Sequence, residues 1–172
     1  MSVNYEIERK FLVEIPEFEN LDITRQIHIV QTYLQRGENG SQRRVRSICE
    51  NNISSFTYTE KVFVTPVIRE ENESVIDENR YNELIKERDD TIEPVIKTRY
   101  CFDYKNQNFE MDVYPFSDSL AVLELELSSP DQHIDFPPYV NILREISGDS
   151  RYSNASLATA GAFPDERNGE NI

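Results

Sequence analysis

The chain has 172 residues, 38% hydrophobic, 10% aromatic and 29% charged, with a formal net charge of −14. That length and aromatic content suit one folded domain with a sizeable core and exclude a disordered composition. The acidic balance excludes a broad nucleic-acid surface, though not a local basic pocket for a small anion, and no apolar run is long enough to span a membrane.

Val3 to Val13 reads as a first strand, Arg25 to Gln35 as a second, and Arg36 to Ser41, with Gly37 and Gly40, as the turn after it. Gln42 to Cys49 and Ser55 to Val64 form a hairpin about Glu50-Asn51-Asn52. Pro66 interrupts before a Glu-rich strand at Arg69 to Ile76. Asp77 caps a helix from about Glu78 to Arg88, in which Tyr81, Leu84 and Ile85 share a face. Ile92 to Tyr104, Asn108 to Tyr114 and Leu120 to Ser128 are further strands, the first two joined at Lys105-Asn106-Gln107. Ile142 to Ile146 suits a last short strand or a helix end, and Ser153 to Ala160 a short helix. Strands at hairpin spacing predict an all-β-dominated (α+β) fold: a closed eight-stranded antiparallel barrel with a few peripheral helices. It forms one domain over residues 1–163, followed by a polar tail over 164–172. Cys49 and Cys101 match no metal or redox spacing. They read as buried free thiols, which suits a reducing cytoplasm, and no charged-plus-apolar signal segment stands at the start.

Side chains alternate along a strand, so parity sorts them by face. Glu6, Glu8 and Lys10 share one face; so do Arg44 and Arg46, then Thr57, Thr59 and Lys61, then Arg69, Glu71 and Glu73. Lys97 and Arg99, Glu110 and Asp112, and Glu124 and Glu126 follow the same rule. The opposite faces carry Ile7, Val45, Tyr58, Val62, Tyr100, Phe109, Met111 and three leucines at 123, 125 and 127. Any single charged pair suits the solvated face of a half-buried sheet. Like-signed pairs on strand after strand do not, because adjacent like charges are unfavourable without a ligand. The joint pattern predicts a charged lumen with an apolar exterior, covered by helices or by a partner, which suggests a homodimer. Arginine and lysine suit phosphate, and clustered carboxylates without His or Cys suit Mg²⁺ or Mn²⁺. Side by side they suit metal-dependent phosphoryl transfer. No Gly-rich phosphate loop and no nucleophile–base pair is visible, and His28 and His133 lack catalytic neighbours.

Glu6-Ile7-Glu8-Arg9-Lys10 reads as an ExExK motif. It is followed in order by Gln31-Thr32-Tyr33-Leu34, Arg44-Val45-Arg46, Thr59-Glu60-Lys61, Arg69-Glu70-Glu71-Asn72-Glu73, Lys97-Thr98-Arg99-Tyr100, Glu110-Met111-Asp112-Val113, Leu123-Glu124-Leu125-Glu126 and the segment from Gly148 to Asn154. The series resembles the CYTH family, or triphosphate tunnel metalloenzymes, most of all its short bacterial inorganic triphosphatases. The resemblance implies an eight-stranded tunnel that binds a triphosphate and hydrolyses or cyclises it with Mg²⁺ or Mn²⁺. By that likeness Lys10, Arg44, Arg46, Lys61, Lys97 and Arg99, assisted by Arg69, hold the phosphates. Glu6, Glu8, Glu124 and Glu126, with Asp112 behind them, hold two ions, and Tyr33 and Lys61 orient the attacking water. Lys10, Tyr33 and Lys61 are then the catalytic candidates. Inorganic triphosphate leads as substrate; ATP or thiamine triphosphate hydrolysis, adenylyl cyclisation and a non-catalytic polyphosphate-binding module are the alternatives. Thr32 stands where the family pattern has Gly, Val62-Phe63 follows Lys61 in place of a glycine turn, and Glu71, Glu73 and Glu110 have no assigned role.

Overall fold

The β-rich segments fold as strands because period-two patterning and turn residues agree along the chain. The computed structural model describes residues 7–63 and 69–164. Its strands are β1 (Ile7–Glu14), β2 (Ile23–Leu34), β3 (Gln42–Glu50), β4 (Ile53–Phe63), β5 (Arg69–Ile76), β6 (Val95–Tyr104), β7 (Gln107–Val113), β8 (Leu120–Leu127) and β9 (Ile142–Glu145). The helices are α1 (Glu78–Leu84) and α2 (Asn154–Ala160), with 3₁₀ turns at Phe18–Asn20, Ile85–Glu87 and Ser150–Tyr152. The expected class, antiparallel strands with a few short helices, is the one observed. Every expected strand forms, and Ile142–Glu145 adds a short further one.

Differences from the sequence reading are local. Val3 to Glu6, Pro66 and the tail from 165 onward lie outside the described residues. The helix after Asp77, whose carboxylate accepts from Arg80 N at 2.8 Å, tightens to 3₁₀ after Leu84 instead of running on to Arg88. The strand expected from Ile92 begins at Val95. Asp89 Oδ1 accepts from Thr91 N at 2.9 Å, closing a turn just before it. The two hairpin turns take positive φ at Asn51 and Asn52 and at Lys105 and Asn106, the backbone that two-residue hairpins require.

The chain divides into two compact units. One comprises 7–26, 97–153 and 161–164 and carries the strand order β6-β7-β8-β1-β9. Phe11, Val13, Phe102, Phe109, Met111, Leu123, Leu125 and Leu127 make its core, closed by Leu21, Ile134 and Val140 with Phe136 and Tyr139 from the connecting segments. The Phe11 and Phe136 rings meet edge to face at 4.9 Å. Each fully buried side chain of this core contributes about 1.5–3 kcal/mol.

The other unit comprises 27–63, 69–96 and α2, with the order β5-β4-β3-β2. Leu34, Val45, Phe56, Tyr58 and Ile76 pack there against Tyr81 and Leu84 of α1. In both units the apolar face is thus covered by the chain's own segments. Ile96, on the apolar face of β6, stays 43% exposed.

Candidate active site

The expected site residues fall in both units, and each set is built by its own ladder. In the first unit β1 and β8 are antiparallel, with Lys10 opposite Glu124 and Glu8 opposite Glu126. Glu110 lies opposite Glu124 on β7 and β8, and Arg99 opposite Asp112 on β6 and β7. Lys10 Nζ reaches Glu8 Oε1 at 2.8 Å and Glu124 Oε1 at 3.0 Å. Arg99 Nη2 reaches the other oxygen of Glu124 at 2.7 Å, and its Nη1 pairs with Glu110. Burial works against the charge of Lys10, but Glu124 and Glu8 outweigh it and hold the ammonium above its usual range. The Arg99 guanidinium is likewise buried, and Asp112, Glu124 and Glu110 more than restore its charge.

Asp112, expected as a metal ligand, is fully buried with both oxygens taken. Arg99 Nε donates to Oδ1 at 2.7 Å; Arg99 Nη2 and Lys97 Nζ donate to Oδ2 at 2.8 and 2.5 Å. Burial alone would raise this carboxyl, but Lys97 and Arg99 bring it below the usual carboxylate range. It anchors two cations, as Glu124 does with Lys10 and Arg99. Lys97 is itself only 5% exposed.

Glu8, Glu110, Glu124 and Glu126 line one cavity of about 410 Å³, with Asn108, Ser128 and Gln132 at its rim. Burial pushes the Glu110 carboxyl up, as do Glu124 and Asp112, against the pull of Arg99. Among the described residues no three His, Cys, Asp or Glu side chains close around a single point. Glu6 lies outside the described residues. The donor set is nevertheless all oxygen. That chemistry fits Mg²⁺ or Mn²⁺, which keep part of their water shell and need few protein ligands.

In the second unit one face carries Gln31 and Tyr33 of β2, Arg44 and Arg46 of β3, and Thr57, Thr59 and Lys61 of β4. The ladder sets Gln31 opposite Arg46, Tyr33 opposite Arg44, and Arg44 opposite Thr59. Thr32 lies on the other face of β2, opposite Val45, and is buried in an unbroken strand, so this departure from the family pattern is absorbed without a kink. Glu71 of β5 receives Arg44 Nη2 at 3.0 Å and Lys61 Nζ at 2.9 Å. Thr59 donates to Glu73 at 3.0 Å. Arg69 opens β5, but its side chain lies outside the described ones. Arg44 Nε and Thr57 Oγ1 are buried, and neither has a hydrogen-bond partner among the described residues. A buried unpaired donor costs free energy unless a ligand or water meets it.

Parity along each strand locates these residues, but it does not reveal Gln31, Glu71, Glu73 or Glu110 as their partners. The signal for Gln31 is its place two residues before Tyr33. The acidic partners are identified by cross-strand register.

The CYTH domain family matches residues 4–161 of the chain. No curated protein compared with it matches. Two solved structures of NE1496, one described as an inorganic triphosphatase and one as a hypothetical protein, share 29% identity with it. The first superposes with a TM-score of 0.63 over 91% of this chain and 96% of that one; the second gives 0.62 over 90% and 98%. The PH1819 protein of Pyrococcus horikoshii OT3 is 20% identical, with a TM-score of 0.52 over 74% of this chain and 81% of that one, a likeness of fold. Matched by the family model over nearly its whole length, the chain belongs to the CYTH domain family.

Proposed function

We propose that this protein hydrolyses inorganic triphosphate to pyrophosphate and phosphate with the help of divalent metal ions. The observation that carries the reading is the face of Arg44, Arg46 and Lys61, on which Arg44 Nε is buried and meets no acceptor among the described residues. A row of cations with an unsatisfied donor fits a compact polyanion better than it fits solvent. NE1496, a chain of similar length, is described as an inorganic triphosphatase, and that likeness supports the reading.

Arg44, Arg46, Lys61, Lys97, Arg99 and Lys10 take the phosphate oxygens, assisted by Arg69. Glu8, Glu124 and Glu126, joined by Glu6, hold two Mg²⁺ or Mn²⁺ ions. When bound, the metal neutralises charge developing on the phosphate oxygens and lowers the pKa of the attacking water. Asp112 keeps the Lys97 ammonium and the Arg99 guanidinium in place, which the hydrogen bonds above support. Glu71 holds Lys61 and Arg44 beside each other until an anion replaces it. No side chain needs to act as a covalent nucleophile.

The test is phosphate release from tripolyphosphate by the full chain with Mg²⁺ or Mn²⁺. Release that stops on chelation and returns with metal is the expected result. Retention of tripolyphosphate without release in either metal would make the protein a binding module instead.

A further inference from the structure

Gln31 is a neutral residue on the cationic face, 2% exposed. Its Oε1 accepts from Arg46 Nε at 3.3 Å and from Arg46 Nη2 at 2.8 Å. A guanidinium has donors only, so this contact fixes which end of the amide is oxygen. The Nε2 end then points along the strand and donates to Tyr33 Oη at 3.1 Å. A phenol oxygen that receives an N–H must turn its own O–H elsewhere. Among the described residues no acceptor meets that proton, although Tyr33 is only 7% exposed. Beside it, opposite in the ladder, stands Arg44 with its own unpartnered Nε.

We infer that Gln31 is a positioning residue: it aims the Tyr33 hydroxyl as a hydrogen-bond donor at an oxygen of the bound triphosphate while steadying Arg46. The inference rests on the reading of this face as the triphosphate site. It makes Tyr33 a donor to the anion and not a base, and it does not require Lys61, whose ammonium is held by Glu71.

The experiment is calorimetric titration of tripolyphosphate into the full chain in EDTA, which stops metal-dependent turnover. It compares wild type, Tyr33→Phe, Gln31→Met and the double variant. Tyr33→Phe should weaken binding about tenfold or more, the loss expected for one hydrogen bond to a charged group. Gln31→Met should weaken it at least as much, and the double variant should bind much more tightly than the product of the two losses allows. Gln31→Glu supplies a variant that keeps an acceptor for Arg46 but can only accept from Tyr33, and it too should bind at least tenfold more weakly. Multiplicative losses, wild-type binding by Tyr33→Phe, or wild-type binding by Gln31→Glu would each overturn the inference. Binding with the expected coupling, together with no phosphate release in a separate assay with Mg²⁺ or Mn²⁺, would overturn only the hydrolytic reading. Absence of binding by wild type in EDTA would overturn the inference, and phosphate release in Mg²⁺ or Mn²⁺ would then leave the hydrolytic reading standing.

Discussion

The guanidinium of Arg99 lies side-on against the carboxylate of Asp112, Nε to Oδ1 at 2.7 Å and Nη2 to Oδ2 at 2.8 Å, with Lys97 Nζ closing the same carboxylate at 2.5 Å. Removing the charge from Asp112 leaves two cations in a dry place. Asp112→Asn should therefore cost about 3–5 kcal/mol in urea unfolding at neutral pH. The carboxyl is held below its usual value, so its contribution is present above the unfolded value of about 3.9 and is lost as pH falls through the folded one. The gap between wild type and variant should narrow in acid. A constant gap down to low pH would show that Asp112 does not act through its charge.

Glu110, two residues away on β7, should behave with the opposite sign. Burial, with Glu124 and Asp112, raises its carboxyl. The contribution is then largest at low pH and falls as pH rises past the unfolded value of about 4.3. Glu110→Gln should gain on wild type between about pH 4 and neutrality, as read from unfolding midpoints across that range. A variant that loses ground over the same range would contradict the assignment.

Neighbouring arginines of β3 should separate cleanly. Arg44 and Arg46 stand on the cationic face, whereas Arg43 points to the other, where it reaches Glu87 at 2.8 Å and Tyr58 Oη at 3.0 Å. Arg44→Ala and Arg46→Ala should each lower kcat/KM for tripolyphosphate by about ten- to a hundredfold, the loss of a charged hydrogen bond. Lysine at either position should restore only part, since it lacks the planar fork. Arg43→Ala should leave turnover close to wild type.

The carboxylates of β1 and β8 should separate from their neighbours by face in the same way. Glu8→Gln and Glu126→Gln should raise the Mg²⁺ or Mn²⁺ concentration needed for half-maximal release by at least about tenfold, one charged ligand having been lost. Arg9, on the opposite face of β1, pairs with Glu145 through both Nε and Nη2 at 2.8 and 2.7 Å. Hydrogen bonds from Arg9 and Ser147 bring the Glu145 carboxyl down to about 2. The pair is open to solvent, so Glu145→Gln should cost no more than about 1 kcal/mol and leave the metal requirement unchanged.

The faces were legible in the sequence because a strand's period of two is fixed, so Arg44 with Arg46 and Glu124 with Glu126 could be assigned to one side from spacing alone. The turn at Asn51-Asn52 was legible for a similar reason, since asparagine is one of the few residues that tolerate that backbone. What parity cannot supply is register between strands. Whether Asp112 meets an ion or Arg99, and whether Glu71 meets Lys61, depends on which residues lie opposite, and that is set by turn lengths and packing. Gln31 shows the same limit. It reads as an ordinary polar strand residue until its amide is seen between Arg46 and Tyr33. The apolar exterior was read as covered by helices or by a partner, because the connecting segments around Ile134 and Val140 carry no periodic signal of the cover they provide.

The central claim is best tested by measuring phosphate release from tripolyphosphate, ATP and thiamine triphosphate side by side, each with Mg²⁺ and with Mn²⁺. Tripolyphosphate should be turned over with the highest kcat/KM, pyrophosphate should accumulate with phosphate, and EDTA should abolish the reaction. Faster turnover of either organic triphosphate, or release that survives chelation, would contradict the proposed activity.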